Sequence, residues 1–393
     1  MPSPLDGIRV LDFTRFQQGP HGTVMLGDMG ADVLKVEAPD GGDLGRSLGL
    51  QPDGFCAYFE AHNRNKRSIT LDLQQPEAKE IVYKLVEQCD VTVENFRRGV
   101  MDRLGFSYEK FREINPRVIY AVASGYGPVG PIAERPSYDM IGQAMGGIMV
   151  AQGGGPDHTP ELIVGGLADQ VGSMMLAYGI MTALVARERF GVGQKVDVSL
   201  LGSQIALQGW GYSRYLRQRK QPNVPADANP LASHYQAADG KWLIICSIDP
   251  KQWPDVCAAF DLMDLAEHPL FATPRDRFKN QAELRARLQS QIQTRPRQEW
   301  LDRLLQNDIP HGPVYSYAEA AEDEQILANQ YITTVEHHSL GTLGVAGCPV
   351  TLSETPGFPR SGSPELGQNT EEVLLDLGYD WDSIGIFRDK GVI

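Results

Sequence analysis

The chain has 393 residues, 42% of them hydrophobic and 22% charged, with a formal net charge of −14 at pH 7. These values fit a globular protein of two domains, or of one large domain with an insertion, and exclude an extended disordered chain. The acidic balance repels free DNA and RNA, so no nucleic-acid partner is expected and a small organic ligand is the better fit.

The N-terminus "MPSPLDGIRVLDF" lacks the basic stretch and apolar run of a signal peptide, and no uncharged run is apolar enough for a membrane span. Five scattered cysteines (Cys56, Cys89, Cys246, Cys257, Cys348), none in a C-x-x-C spacing, indicate neither a metal site nor a disulfide framework. They read as reduced, mostly core residues of a cytoplasmic protein.

In chain order, "IRVLDF" (8–13) predicts a strand, followed by a Gly/Pro-rich loop, a helix over "TVMLGDMG" and a second strand "DVLKVEAP". "RSITLDL" alternates with period two. "QPEAKEIVYKLVEQC" carries Pro76 near its start and Ile81, Leu85 and Cys89 in helical register. "DVTVENF", "VIYAVASGYG" and "QKVDVSLL" are further strands. Strands alternating with helices predict an α/β fold with a mostly parallel sheet covered on both faces.

At "RQRKQPNVPADANPLA" periodicity stops and prolines accumulate, which predicts a linker over 218–232. The large domain then spans 1–217 and a small α+β domain 233–329, with strand "DGKWLIICSI" and helices "AELRARLQSQIQ" and "RQEWLDRLLQN". The segment 330–393 holds "YITTVEH" and "CPVTLS" as short strands and "TEEVLLDLG" as a final helix. It is too short for a domain and is expected to rejoin the first sheet.

One carboxylate stands out. In "GGLADQVGSMMLAYGIMTALVARE" the only charge between the opening glycines and Arg187 is Asp169. Val171, Met174, Met175, Tyr178, Met181, Thr182 and Val185 follow one helical face, implying a buried helix with Asp169 at its first turn or N-cap. Two readings stay open: a capping Asp, or a carboxylate kept in a dry pocket as nucleophile or base. A second cluster, "NRNKRS" (63–68) and "NFRRG" (95–99) with Arg15 and Arg103, places cations beside strand ends, suited either to phosphate or to an ordinary solvated surface.

The loop after the first strand does not form G-x-G-x-x-G, so no nicotinamide or flavin is expected. No P-loop, G-x-S-x-G or H-E-x-x-H occurs, and the adjacent His337 and His338 read as solvent-facing.

With these residues assembled, the chain resembles the class III CoA-transferases, the CaiB/BaiF family. The likeness rests on "PLDGIRVLDFT", "GADVLKVE", "NRNKRSITLDL", "DVTVENFRRGVMDRLGF", "NPRVIYAVASGYG", "LADQVGS", "GVGQKVDVSLL", "IPHGPVYSYAEAAEDEQ" and "LGQNTEEVLLDLGY", in the family's order. The resemblance implies a Rossmann-like domain built from both chain ends, a small inserted domain, and a homodimer of interlinked rings. It implies coenzyme A as substrate, with an acyl-CoA donor and a carboxylic acid acceptor and with no metal.

Asp169 would be the nucleophile, with the Gln17 amide, helix N-terminal N–H groups or glycine N–H groups as oxyanion partners. CoA contacts would be Phe16, Gln18, Leu71, Asp72, Leu73, Asn95, Phe96, Arg97, Arg103 and Tyr138. Some relatives place an arginine where Ala38 stands, which shifts the phosphate contacts to Arg64, Lys66, Arg97 or Arg98. The "AQGGGPD" loop (151–157) is either a mobile cover or a surface turn.

The family's α-methylacyl-CoA racemases carry a "GHD" stretch. Here "PSYD" puts Tyr138 in place of the histidine, and tyrosine is too weak a base at neutral pH to replace it easily. That favours transfer over racemisation, while the retained Asp169 weakens a non-catalytic CoA-binding role. No run of four glycines lies between Pro222 and Gln236, which disfavours oxalate and favours a larger acyl group or dicarboxylate.

Overall fold

The structure, a computed structural model, describes residues 2–220 and 229–393. The chain forms two compact units, one of Met1–Met149, Leu162–Lys220 and Leu327–Ile393, the other of Val150–Glu161 and Gln221–Ile326. The core of the predicted linker lies outside the described residues. Of its ends, 218 closes the helix Gly209–Gln218 and 232 opens a strand.

In the first unit β1 (Arg9–Asp12), β2 (Asp32–Glu37), β3 (Lys66–Thr70), β4 (Val91–Glu94), β5 (Ile119–Ser124) and β6 (Lys195–Ser199) form one sheet of order β3-β2-β1-β4-β5-β6. Every pairing in it is parallel. That is the doubly wound arrangement, in which the winding reverses between β1 and β4 and leaves a crevice at the carboxyl ends of those strands.

Alternation along each strand sorts the core into two layers. Leu11, Leu34, Val36 and Ile69 face helix Pro76–Gln88 and two C-terminal helices, Thr370–Asp376 and Trp381–Asp389. Val10, Val33, Val91, Val93, Ile119 and Ala121 face helices Gln18–Asp28 and Leu167–Phe190. Each fully buried Val, Leu or Ile contributes about 1.5–3 kcal/mol.

The tail closes the edge strand. Ser68 O accepts the Asn369 N–H at 2.8 Å, the Thr70 N–H donates to Thr370 Oγ1 at 3.0 Å, and the Asp72 N–H donates to Val392 O at 2.8 Å. The sequence reading ended at "TEEVLLDLG" and missed the helix Trp381–Asp389 beyond it, which Asp380 caps by accepting the Ser383 N–H. "CPVTLS" is not a strand. The partner of β10 (Ile332–His337) is β11 (Gly341–Ala346), an antiparallel hairpin turned at Gly341 with φ 74°. Nor is His337 solvent-facing. It is buried with Nε2 at 3.2 Å from Glu60, while His338 is exposed.

The helix Leu167–Phe190 also turns differently from its predicted face. Ala168, Gly172, Ser173, Leu176, Ile180, Ala183 and Arg187 point inward, whereas Met174, Tyr178 and Val185 are at least half exposed. Small residues win that face because they let neighbours approach. A Cβ on Gly172 would stand 2.7 Å from Gln18 Nε2, and one on Gly179 2.8 Å from Val196 Cγ1.

In the second unit β7 (Ala232–Gln236), β8 (Trp242–Cys246) and β9 (His311–Val314) form an antiparallel sheet of order β7-β8-β9. Its core gathers Tyr235, Leu243, Ile245, Trp253, Phe260 and Trp300. All five cysteines are free, and Cys56, Cys89 and Cys257 are buried. Among the described residues no helix is long and apolar enough to cross a membrane.

Candidate active site

Two adjoining clefts open where β1 and β4 end, and they share Arg15 and Phe96. The larger, ≈ 280 Å³, is lined by Arg15, Phe16, Gln17, Gln18, the 95–98 loop, Tyr138 and Asp169. The smaller, ≈ 190 Å³, is lined by Ala38, Leu71, Asp72, Leu73 and Phe96 among others. The predicted contacts thus fall along one path, with Asp169 at one end and Ala38 at the other. Arg103 lines neither cleft. It is exposed on helix Val100–Leu104 with Nη1 against Gly99.

The loop after β4 is held from both sides. The Asn95 side chain accepts the Arg15 N–H at 2.9 Å and donates to Arg15 O at 2.7 Å, and Glu94 accepts the Phe96 N–H at 2.8 Å. Burial pushes the Glu94 carboxyl up to about 7. The Arg15 guanidinium lies 4.5 Å from the Phe96 ring centroid. Arg97 is exposed on the cleft, whereas Arg98 is tied to Asp197 at 2.7 Å.

The stretch "NRNKRS" does not reach the crevice, because it enters β3 rather than leaving it. Arg64 and Lys66 are buried, paired with Asp28 at 2.6 Å and with Asp12 at 3.0 Å. Neither is free for a phosphate.

Asp169 is the third residue of helix Leu167–Phe190, two after the one that follows the N-cap Gly166 (φ 74°). Burial first, and the neighbouring Asp139 charge second, push its carboxyl up to about 7. No hydrogen bond or cation among the described residues acts on that carboxyl. A buried carboxylate normally has such partners, so one without them is suited to react.

Asp139 opens the helix Asp139–Met145 and accepts the N–H groups of Ala168 at 2.6 Å and Asp169 at 3.1 Å, while its second oxygen accepts from Gln143 Nε2 at 2.7 Å. It therefore caps the Asp169 helix from outside. These two N–H groups are engaged and are not available as oxyanion donors.

Gln17 remains. Its Nε2 donates to Gly165 O at 3.2 Å, and its carboxamide lies where a Cβ on Gly166 would fall, 2.4 Å away. The Ser173 hydroxyl sits 2.7 Å from both Gln18 O and Asp169 O and ties the two segments together. Phe16 and Tyr138 meet edge to face at 6.0 Å.

Sequence reasoning missed Tyr58 and Asp139. Burial, followed by the charges of Asp169, Asp43 and Asp139, raises the Tyr58 phenol far above its ordinary range, so it stays protonated. The "PSYD" stretch that was used for Tyr138 contains Asp139. Tyr58 carried no local signal. The "AQGGGPD" segment starts as the end of a short helix, Ile148–Gln152, and becomes a turn with Gly154 at φ 99° and Gly155 at φ 122°. Among the described residues no group of three or more His, Cys, Asp or Glu is arranged to hold a metal.

A doubly wound parallel sheet with a polar crevice at its switch point, and a half-buried carboxylate on the wall of that crevice, define an α/β enzyme. The chain belongs to CoA-transferase family III, whose sequence profile matches residues 5–370. It is 34% identical to a formyl-CoA:oxalate CoA-transferase of Streptomyces coelicolor, covering 99% of each chain. It is 37% identical to an acetyl-CoA:oxalate CoA-transferase of Acetobacter aceti, covering 91% of this chain and 92% of the relative. A CaiB/BaiF family protein from Brucella suis superposes with a TM-score of 0.87 at 33% identity, covering 96% of this chain and all of that one.

Proposed function

We propose that this protein moves CoA from an acyl-CoA to a carboxylic acid acceptor through a thioester on Asp169. The observation that carries the reading is the half-buried Asp169 carboxylate, with no hydrogen-bond or cation partner among the described residues, on the wall of a crevice that also holds Arg15, Arg97 and Gln17. An Asp169 oxygen attacks the donor thioester, the C–S bond breaks, and CoA thiolate leaves behind an aspartyl–acyl anhydride. The thiolate attacks the aspartyl carbonyl, releasing the donor acid and forming aspartyl-CoA. The acceptor carboxylate then displaces the thiolate, and the thiolate attacks the acceptor's acyl carbonyl, giving the new acyl-CoA and free Asp169.

Each tetrahedral step develops an oxyanion, and the Gln17 amide is the donor assigned to it. Arg97 and the 71–73 and 95–96 segments are assigned to CoA, and Arg103, which lines neither cleft, is left out of the set. The acceptor is a small dicarboxylate. Oxalate, disfavoured on the missing glycine run, returns as a candidate because relatives bear it in their names, and part of that stretch lies outside the described residues.

The domain division at 1–217, 233–329 and 330–393, a cytoplasmic location and an interlinked homodimer belong to the same reading. The row Met174, Tyr178 and Val185, left open on the helix that carries Asp169, supports a partner subunit.

Incubation with formyl-CoA or succinyl-CoA followed by borohydride or hydroxylamine tests the scheme. Mass is expected at Asp169 alone, and modification elsewhere refutes it. Solvent hydrogen exchange at an acyl α-carbon without CoA movement would indicate the racemase chemistry instead.

A further inference from the structure

At the smaller cleft, which Asp43 lines, lies a set of buried charges that the chemistry does not use. Lys35 and Asp43 are both fully buried at their side chains and pair at 2.9 Å, and Lys35 Nζ also donates to Thr14 O at 2.7 Å. The other Asp43 oxygen, Oδ1, accepts the N–H of Phe16 at 3.0 Å and that of Gly45 at 2.9 Å. Phe16 has φ 66°, in the left-handed region that L-residues with a side chain avoid. Such a conformation persists only where its surroundings impose it, and it is found at functional sites. The next residue is Gln17, whose carboxamide packs against Gly166 at the mouth of the Asp169 helix.

We propose that Asp43 is a positioning residue for acyl transfer: it pins the Phe16 amide in the left-handed turn that seats the Gln17 carboxamide at the mouth of the Asp169 helix, and Lys35 holds Asp43 in place. This rests on the transferase reading of Asp169 and Gln17. Burial works to raise the Asp43 carboxyl, but Lys35 and the Gly45 and Phe16 amides outweigh it and hold the group below the usual carboxylate range. It therefore remains an acceptor throughout the neutral range. Both anchors come from outside the turn, Lys35 from β2 and Asp43 from the residue that caps the short helical turn Leu44–Ser47. The turn therefore cannot be read from residues 14–18 alone.

Removing one charge of a buried pair strands the other, so the test uses neutral pairs. Lys35→Met/Asp43→Asn keeps an oxygen for the Phe16 amide, and Lys35→Met/Asp43→Leu does not. In full-length protein assayed with formyl-CoA or succinyl-CoA and oxalate, the Asn pair is expected to keep kcat within about threefold. The Leu pair is expected to lose about 10²-fold in kcat, the cost of a lost oxyanion donor, with the acyl-CoA KM little changed.

Adding Gln17→Ala to the Leu pair is expected to cause almost no further loss, since both changes remove the same interaction. A Leu pair that keeps kcat, or that loses activity on top of Gln17→Ala, overturns the proposal. Should the Leu pair fail to fold, Lys35→Met/Asp43→Ala carries the same expectation.

Amide hydrogen exchange at Phe16 and Gln17 reads the turn without turnover. Exchange at least about tenfold faster in the Leu or Ala pair than in the Asn pair supports the proposal, and equal exchange overturns it. A parent protein with no transferase activity would refute the proposed function, while the exchange result would still decide the anchoring.

Discussion

Asp139→Asn isolates the electrostatic control of the proposed nucleophile, Asp169. The Asp169 carboxyl stands at about 7, raised first by burial and second by the charge on Asp139. Attack requires the carboxylate, so kcat/KM for the acyl-CoA rises with pH through that value and levels above it. Burial is the larger cause, so losing the Asp139 charge lowers the apparent pKa by less than burial raises it. Asn can still accept the Ala168 and Asp169 N–H groups through its oxygen.

The cost falls on Gln143, whose Nε2 would face an amide nitrogen and lose one hydrogen bond, about 1 kcal/mol. The assay is the initial rate of CoA transfer from pH 5.5 to 9 in both proteins, with Tm recorded at each pH. The inflection is expected to move to lower pH in the variant, so that relative activity improves at pH 6 more than at pH 8. An inflection that stays put, or no inflection between pH 6 and 8 in the parent, refutes the assignment.

Stability offers an independent check on the same carboxyl. A carboxyl whose folded pKa is raised favours folding when protonated, and that contribution is lost as pH climbs from the ordinary carboxylate range through about 7. Asp169→Asn should therefore raise Tm at pH 8 more than at pH 5, while abolishing transfer; calorimetry showing an equal gain at both would contradict a raised pKa. Gly166→Ala puts a Cβ at φ 74° onto the Gln17 amide and should lower kcat at least about tenfold with near-normal fold, as circular dichroism would verify. Lys66→Met strands Asp12 in the core and should cost about 3–5 kcal/mol in urea unfolding, whereas a phosphate-binding lysine would change acyl-CoA KM with little loss of stability. Met174→Asp charges the open face of the Asp169 helix and, by placing a charge against the partner of the proposed interlinked dimer, should lower Tm in calorimetry; an unchanged Tm would remove that face from the interface.

The sheet was legible because each of its strands is a short apolar run next to a helix with its own period, and such alternation leaves few alternatives to parallel pairing. Asp169 was legible because charge is so scarce around it. The misread parts depend on distant partners. Arg64 and Lys66 of "NRNKRS" look like a solvated patch until Asp28 and Asp12, 36 and 54 residues away, neutralise them in the interior. The helix is apolar on both faces, so its period alone could not say which one turns inward: Leu176, Ile180 and Leu184 are buried beside Gly172, Ala177 and Ala183, while Met174, Tyr178 and Val185 stay open. β9 reads "HGPV", with a Gly and a Pro that no propensity rule would place in a sheet, and it pairs only because β8 offers an edge.

The edge strand β3 is sealed by residues that arrive about 300 positions later, with Asn369 and Thr370 bonded to Ser68 and Thr70. Contacts so far apart in sequence form late, since the chain between them must be ordered first. During synthesis, then, the amino-terminal half can lay down its strands yet leave one flank unsealed until the last segment clears the ribosome. A nascent chain stalled near residue 330 would expose the open rim of β3 to any neighbouring strand, and it is there, rather than at the catalytic crevice, that a holding chaperone has most to protect.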